Sequence, residues 1–228
     1  MADSTLILPL MGERIEPRGS GTLWLAAARM LVVSDLHLGK AERNARRGGG
    51  FWPPYENIET LARLTAEIAA LDPACVVALG DSFDDDACAD QLDDETRARI
   101  EALVAERRWI WVTGNHDPAP SGLGGDSADV VTLGSLTLRH IAEAGVRGEI
   151  SGHYHPKARL RIRGRSIARK CFLASDERVV MPAFGAFTGG LDVSDEVFAP
   201  LFDRHATAIL TGTRVAAIPL ATLRRAAA

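Results

Sequence analysis

The chain has 228 residues, of which 46% are hydrophobic and 25% charged, with a formal net charge of −4. That length suits one large domain, and the composition is that of a globular chain able to build a sizeable core. The acidic balance excludes a globally basic nucleic-acid binder without excluding local basic patches, and no window reaches the roughly 20 apolar residues that span a bilayer.

Along the chain, short apolar runs bounded by Gly, Pro or Asp predict strands, the first at TLILPL, TLWLAA and MLVVS. RRGGGFWPP, residues 46–54, reads as a loop. Its glycines match neither GxGxxG nor GxxxxGKS/T, so it is not a phosphate-binding loop of those kinds. YENIETLARLTAEIAAL predicts a helix, with Ile58, Leu61, Leu64, Ile68 and Leu71 as one apolar stripe. A strand at CVVALG follows, then a helix in QLDDETRARIEALVAERR, acidic early and rich in arginine late as the helix dipole favours. The rest is almost all strand: WIWVTG, DVVTL, LTLRH, GEISG, ARLRIR, KCFLA, RVVMPA, ATAIL and RVAAIPL, before a short terminal helix at ATLRRAAA. No repeat, low-complexity tract or linker interrupts the chain, so a single domain over 1–228 is expected. Alternating strands and helices followed by a β-rich half predict an α/β fold of two packed sheets with helices outside.

Cys75, Cys88 and Cys171 form no CxxC pair, and Cys75 and Cys171 lie in apolar runs. They read as small buried residues of a reducing compartment. The opening MADSTLILPLMGERIEP lacks the pattern of a signal peptide, so a cytoplasmic location without a membrane partner is expected.

The strand ends carry the chemistry. MLVVSDLHLGK sets Asp35 and His37 two apart; CVVALGDSFDD sets Asp81 after a strand and a glycine, with Asp84 three residues on. WIWVTGNHD supplies Asn115, His116 and Asp117, LTLRH ends on His140, and EISGHYHPK carries His153 and His155. Residues at i and i+2 of a strand share a face, so each such pair is expected to aim at one spot. Singly, these residues have plainer readings. Asp after a strand is commonly a turn or cap residue, the histidine pair could sit in a surface turn, and His140 could be a hydrogen-bonded core histidine. Five strand ends bearing Asp, Asn or His together point to a ligand site, because in layered α/β folds ligands collect where strand carboxyl ends meet. Two divalent cations about 3.5–4 Å apart need one bridging carboxylate and a few further ligands each, and such a pair activates water against a phosphoryl group. Mixed oxygen and nitrogen donors without thiolate point to manganese, iron or zinc rather than calcium or magnesium.

The series DLH, GD with a further Asp three residues on, GNHD, a later His and GHYH, in order from residue 35 to 155, resembles the motifs of the calcineurin-like metallophosphoesterases. DLHLGK with SGHYHP and CFLASDERVVMPAFGAFTGGLDV resembles, more narrowly and over nearly the whole chain, the bacterial DNA-ligase-associated metallophosphoesterases. The resemblance implies a four-layer α/β/β/α sandwich of two mixed sheets flanked by helices. It implies a metal-dependent phosphodiesterase or nuclease acting in DNA repair, with partners such as a ligase or helicase and a phosphodiester substrate such as DNA. Two divalent cations are implied, manganese first, with iron or zinc as alternatives. One would take Asp35, His37, Asp81 and His155; the other would take Asp81, Asn115, His140 and His153, with Asp81 bridging. His116 would face the phosphate and stabilise or protonate the leaving oxygen, with Asp84 hydrogen-bonding its far nitrogen. Two departures stand out: GDSFDD lacks the Arg that phosphoprotein phosphatases carry after the second Asp, and GNHD ends in Asp117 rather than Glu.

Basic residues gather beside two of these motifs. HPKARLRIRGRSIARK packs Lys157, Arg159, Arg161, Arg163, Arg165, Arg169 and Lys170 into a predicted hairpin, and Lys40, Arg43, Arg46 and Arg47 follow DLH. Such runs are usually solvated faces. Their position beside proposed ligands makes Lys40, Arg43, Arg159, Arg161 and Arg163 candidate phosphate contacts. Phe51 and Trp52 read as loop packing before base stacking, His205 as structural, and Asp85 and Asp86 as a solvated acidic edge. Two other functions fit less well. A hydrolase of a small nucleotide or nucleotide-sugar diester or pyrophosphate remains open, although the charged segment from Asp84 to Trp109 makes a poor lid for a lipid-linked substrate. A non-catalytic scaffold would be expected to have lost ligands, and all are present.

Overall fold

Alternation along the central strands explains the layering. In β4 (Met30–Val33), the fourth strand of the chain, Met30 and Val32 point to one side while Leu31 and Val33 point to the other, and all four are buried. A strand buried on both faces must be covered twice. We describe residues 6–49, 55–118 and 122–227 of a computed structural model; Phe51 and Trp52 lie outside them.

The first sheet contains, in spatial order, β1 (Leu8–Leu10), β2 (Glu13–Pro17), β3 (Leu23–Leu25), β4, β5 (Cys75–Leu79), β6 (Arg108–Val112) and β7 (Asp126–Ala128). It is antiparallel up to β4 and parallel from β4 to β7. The second sheet contains β8 (Val130–Leu133), β9 (Leu136–Arg139), β10 (Glu149–Ser151), β11 (Lys157–Ile162), β12 (Arg165–Ala174), β13 (Arg178–Val180), β14 (Thr207–Leu210) and β15 (Ala216–Pro219). Its order is β15-β14-β12-β13-β10-β9-β8, with β11 paired to β12 as a hairpin.

Val32, Val77, Leu79 and Ile110 of the first sheet meet Leu138, Ile150, Phe172 and Met181 between the sheets. Each such fully buried aliphatic side chain stabilises the fold by about 1.5–3 kcal/mol relative to exposure. The outer face of the first sheet is covered by α2 (Tyr55–Leu71) and α4 (Asp94–Ala105), through Leu61, Leu64, Ile68, Ile100 and Leu103. Cys171, Leu173 and Val180 of the second sheet lie under Phe198, Phe202 and α5 (Leu220–Ala227). The chain is therefore a two-sheet α/β sandwich with mixed sheets and flanking helices.

Several local features differ from the sequence reading. β2, α1 (Lys40–Arg46) and α3 (Asp86–Asp90) were not expected, because ERIEP, KAERNAR and DACAD carry no apolar period; α1 buries only Ala41. Ile58 leaves the apolar stripe of α2 and is 46% exposed. α4 begins at Asp94, because the Asp93 side chain accepts from Thr96 N–H as its cap. Asp85 is not simply solvated, since Arg46 lies 2.6 Å from its carboxylate. All three cysteines are free and buried. His205 stays outside the site, with its backbone N–H on Asp203.

Candidate metal centre

The parallel register of β4, β5 and β6 brings their carboxyl ends to one edge, and β9 and β10 run parallel in the facing sheet. The chain leaves β4, β5 and β10 abruptly. Asp35, His37, Asp81, His153 and His155 all have left-handed backbone, with φ of 52°, 46°, 47°, 69° and 47°. They are half of the ten such non-glycine positions among the described residues. Strained backbone of this kind persists where the surroundings over-determine it, and it gathers at functional sites. It also corrects the i, i+2 expectation in part: the paired residues lie past the strand ends, and although Asp35 and His37 do converge on one group, His153 and His155 go to different ones. His155 joins Asp35 and His37, while His153 joins Asp81 and His140, each group with donor atoms within 4.8 Å of one another.

Hydrogen bonds set the imidazole tautomers. His140 Nδ1 faces Leu79 O at 3.1 Å, which leaves Nε2 toward Asp81 Oδ2 at 3.3 Å and Asn115 Oδ1 at 3.0 Å. His37 Nδ1 lies 3.1 Å from Asp84 Oδ1, and its Nε2 lies 3.4 Å from His155 Nε2. His155 Nε2 is 3.0 Å from Asp35 Oδ1. An imidazole tied to an oxygen at one nitrogen presents the other as a ligand, the usual arrangement around bound metal. Each group thus offers one carboxylate and two imidazoles, with Asn115 beside the second, and this donor chemistry fits one divalent cation per group. Asp81 links the two groups: its backbone carbonyl accepts from His37 N–H at 2.9 Å, and its Oδ1 accepts from His116 N–H at 2.9 Å.

The expected orientation of Asp84 is corrected. His116 Nδ1 meets the backbone carbonyl of Asp84 at 2.9 Å, not its carboxylate. The carboxylate instead faces His37 and Arg43, whose Nη1 is 2.8 Å from Oδ2. His37, Asp84 and His116 form a third group of possible ligands, but Arg43 already neutralises that carboxylate. Lys40 Nζ is 3.9 Å from Asp84 Oδ1, so both predicted phosphate contacts on α1 do reach the site rim, through Asp84. On the hairpin, Arg159 and Arg161 lie on one face of β11, whereas Arg163 has φ 49° and sits with Gly164 in the turn, off the expected alternating face.

Sequence reading passed over the small residues behind the ligands. Ser34 Oγ donates to Asp35 Oδ2 at 2.5 Å. A Cβ on Gly152 would stand 1.9 Å from Ser34 Oγ, and one on Gly80 (φ 76°) would stand 2.4 Å from the His140 ring. Only hydrogen fits at these two places, and the available signal was the glycine directly before each ligand in GH and GD.

The charges are strongly coupled. Burial alone would raise Asp81, but contact with His140 and the His116 N–H brings it down to about 2. Asp35 and Asp84 are lowered for similar reasons, by His155 and by His37 with Arg43. His140 is raised by Asp81 and Asp35 against its burial, while burial and the neighbouring His140 lower His153. Burial, helped by the charge of Asp81, pushes Asp117 up to about 7, against the Phe83 and Ser82 N–H groups from which its Oδ2 accepts. A cation must displace the proton on His140, so its affinity should rise with pH through the imidazole range, with protons released on binding. Titrating manganese between pH 5.5 and 8 checks this; affinity independent of pH would contradict it.

Two adjoining imidazole–carboxylate groups, with no thiolate, make a donor set that suits two divalent cations and the activation of water against a phosphoester. The family model of the calcineurin-like phosphoesterases matches residues 28–164, more than half of the chain, and the chain belongs to that family. Among solved structures, the Pseudomonas putida nuclease MPE is similar at 25% identity and TM-score 0.71, covering 94% of this chain and 100% of that one. The Escherichia coli phosphoesterase YfcE is similar at 15% identity and TM-score 0.40, covering 85% of this chain and 94% of that one. A Streptococcus pneumoniae protein described as a predicted phosphoesterase is similar at 13% identity and TM-score 0.31, covering 84% of this chain and 89% of that one. A search of the curated proteins found no match.

Proposed function

We propose that this chain is a phosphodiesterase that cleaves nucleic acid in a two-cation site, with manganese as the first candidate metal. The observation that carries this reading is the pair of adjoining donor groups, Asp35–His37–His155 and Asp81–His140–His153, at one basic rim. Similarity to a nuclease across both whole chains supports the choice of nucleic acid.

Bound cations supply the Lewis acidity that makes water nucleophilic at neutral pH and the charge that receives a phosphoryl group. The chain's own residues do the rest. Asp81 would be the carboxylate shared between the cations, and Asn115 would complete the second set. His116, with Nδ1 held by the Asp84 carbonyl, directs Nε2 to the leaving oxygen and gives it a proton. Asp84 fixes the ring of His37 and gathers Lys40 and Arg43 at the mouth. Arg63, Lys157 and Lys40 lie close enough to Lys170 to add to the burial that lowers it to about 8, and together these cations supply positive potential that draws an anionic substrate. A place in DNA repair beside a ligase or helicase, in the cytoplasm, belongs to the same proposal; the buried free thiols suit a reducing compartment.

The experiment is a manganese-loaded activity screen over a phosphomonoester, a chromogenic diester, and single- and double-stranded DNA. Diester and DNA cleavage is expected; cleavage of the monoester alone would overturn the reading. Replacing Arg159, Arg161 and Arg163 with Ala should weaken DNA binding without sequence preference. The slope of log K against log salt should flatten by roughly 0.7–0.9 for each phosphate that is no longer neutralised. Arg161 and Arg163 should account for most of the loss, since Arg159 is shared with Asp192 at 3.4 Å. Turnover of the small diester should not change. Unchanged DNA affinity would favour a small nucleotide as substrate.

A further inference from the structure

The loop after β13 runs beside the Asp35–His37–His155 group and is fastened on both flanks. Gly185 N–H donates to Asp35 O at 3.0 Å, and a Cβ there would stand 2.1 Å from Leu36 O. At the other end, a Cβ on Gly190 would stand 2.2 Å from His155 O, and Leu191 N–H donates to Tyr154 O at 3.4 Å. Between these ends, Ala186 N–H donates to Thr60 Oγ1 at 3.0 Å, and Thr188 Oγ1 donates to Gly185 O at 3.1 Å. Lys157 Nζ donates to Thr188 O at 3.1 Å. Ala186 and Thr188 are buried.

Phe187 lies between them and is 68% exposed, the most exposed large apolar side chain among the described residues. Its φ is 55°, a left-handed conformation that a bulky L residue seldom adopts. The hydrophobic effect would turn this ring inward, yet the anchored loop holds it in water. No ring among the described residues packs on it. Phe187 is two residues from Gly185, within about 7 Å of chain, so it belongs to the rim of the site. Strain concentrated on a presented residue is a mark of a ligand clamp.

We propose that Phe187 is a stacking platform for a nucleobase adjacent to the scissile phosphate. This rests on the nucleic-acid reading above and adds that the substrate carries a base next to the bond being cut. A protein partner would be expected to meet a contiguous apolar patch. Phe187 is instead the one exposed ring of this loop, with only Leu191 (38% exposed) as a further exposed large apolar side chain in it, with Gly189 and Gly190 exposed between them and with the cations of Lys157 and Arg159 on the neighbouring strand. A base with its phosphate needs that combination, and stacking on a ring tolerates any base.

The test compares two single-stranded oligonucleotides of equal length, one with all its bases and one with an abasic central segment, using the manganese-loaded full chain. Phe187→Ala should raise KM for the base-bearing oligonucleotide about 5- to 150-fold, the worth of roughly 1–3 kcal/mol of stacking on one base. KM for the abasic one should stay constant. Phe187→Trp should restore affinity, and Phe187→Leu, which keeps apolar bulk without a flat face, should behave like Phe187→Ala. A 2-aminopurine base in the oligonucleotide should be quenched by the parent and not by Phe187→Ala. Equal losses on both oligonucleotides, or a Phe187→Leu protein as good as the parent, would overturn the platform while leaving the phosphodiesterase reading intact. A parent that hydrolyses the chromogenic diester but neither binds nor cuts either oligonucleotide would overturn the nucleic-acid reading and the platform together.

Discussion

Asp81→Ala should lose both cations together and with them nearly all hydrolysis. Asp81 reaches both halves of the site: its Oδ2 is 3.3 Å from His140 Nε2, and its backbone carbonyl takes the His37 N–H. Its charge is also secure, since its pKa lies near 2. Removal should leave His140 and His153 without their carboxylate and take the shared ligand from the other group. Ser34→Ala, which removes only the hydroxyl behind Asp35, should cost the smaller loss of an outer partner, about 10–100-fold in metal affinity or rate. Metal titration followed by mass-spectrometric counting of bound ions separates the two variants. An Asp81→Ala protein that retains two ions per chain would show that Asp81 does not bridge.

His116→Ala should behave differently, keeping both ions while lowering turnover by roughly 10²–10⁴-fold, the usual worth of general acid catalysis. The geometry motivates this split. His116 gives its backbone N–H to Asp81 and its Nδ1 to the Asp84 carbonyl, so its ring is placed independently of the cations. Esters of acidic alcohols such as nitrophenol need no proton and should lose less than natural diesters. Because the Asp84 carboxylate faces His37 and Arg43 rather than His116, Asp84→Asn should weaken the first cation without changing the dependence on leaving group. Equal losses of His116→Ala on good and poor leaving groups would mean that His116 only positions the phosphate.

The sandwich was legible from one-dimensional pattern, because β-branched runs such as MLVVS and CVVALG must be buried on both faces wherever they are placed. The residues at the rim were legible for a similar reason: five strands each ended on a donor, and parallel strands bring such ends together. Elements without an apolar period were not legible. KAERNAR forms α1 because tertiary contacts, such as Arg43 to Asp84 and Ala41 N–H to Glu56, replace the stripe that a lone helix would need. Strand spacing also misplaced the aim of the His153/His155 pair, because it assumes extended backbone where the chain turns left-handed at both residues.

By itself, then, the sequence determined the layers, the donor types and their order, all of which depend on local pattern and side-chain chemistry. The motif resemblance also implied which histidine joins which carboxylate, but only the tertiary structure decided that His153 and His155 part company at a turn, that Asp84 serves His37 by its side chain and His116 by its backbone, and that Phe187 stands exposed. Those outcomes depend on where separate strands and loops meet in space. A carboxylate three residues from Asp81 can reach either ring, and the choice is made by Arg43 arriving from α1.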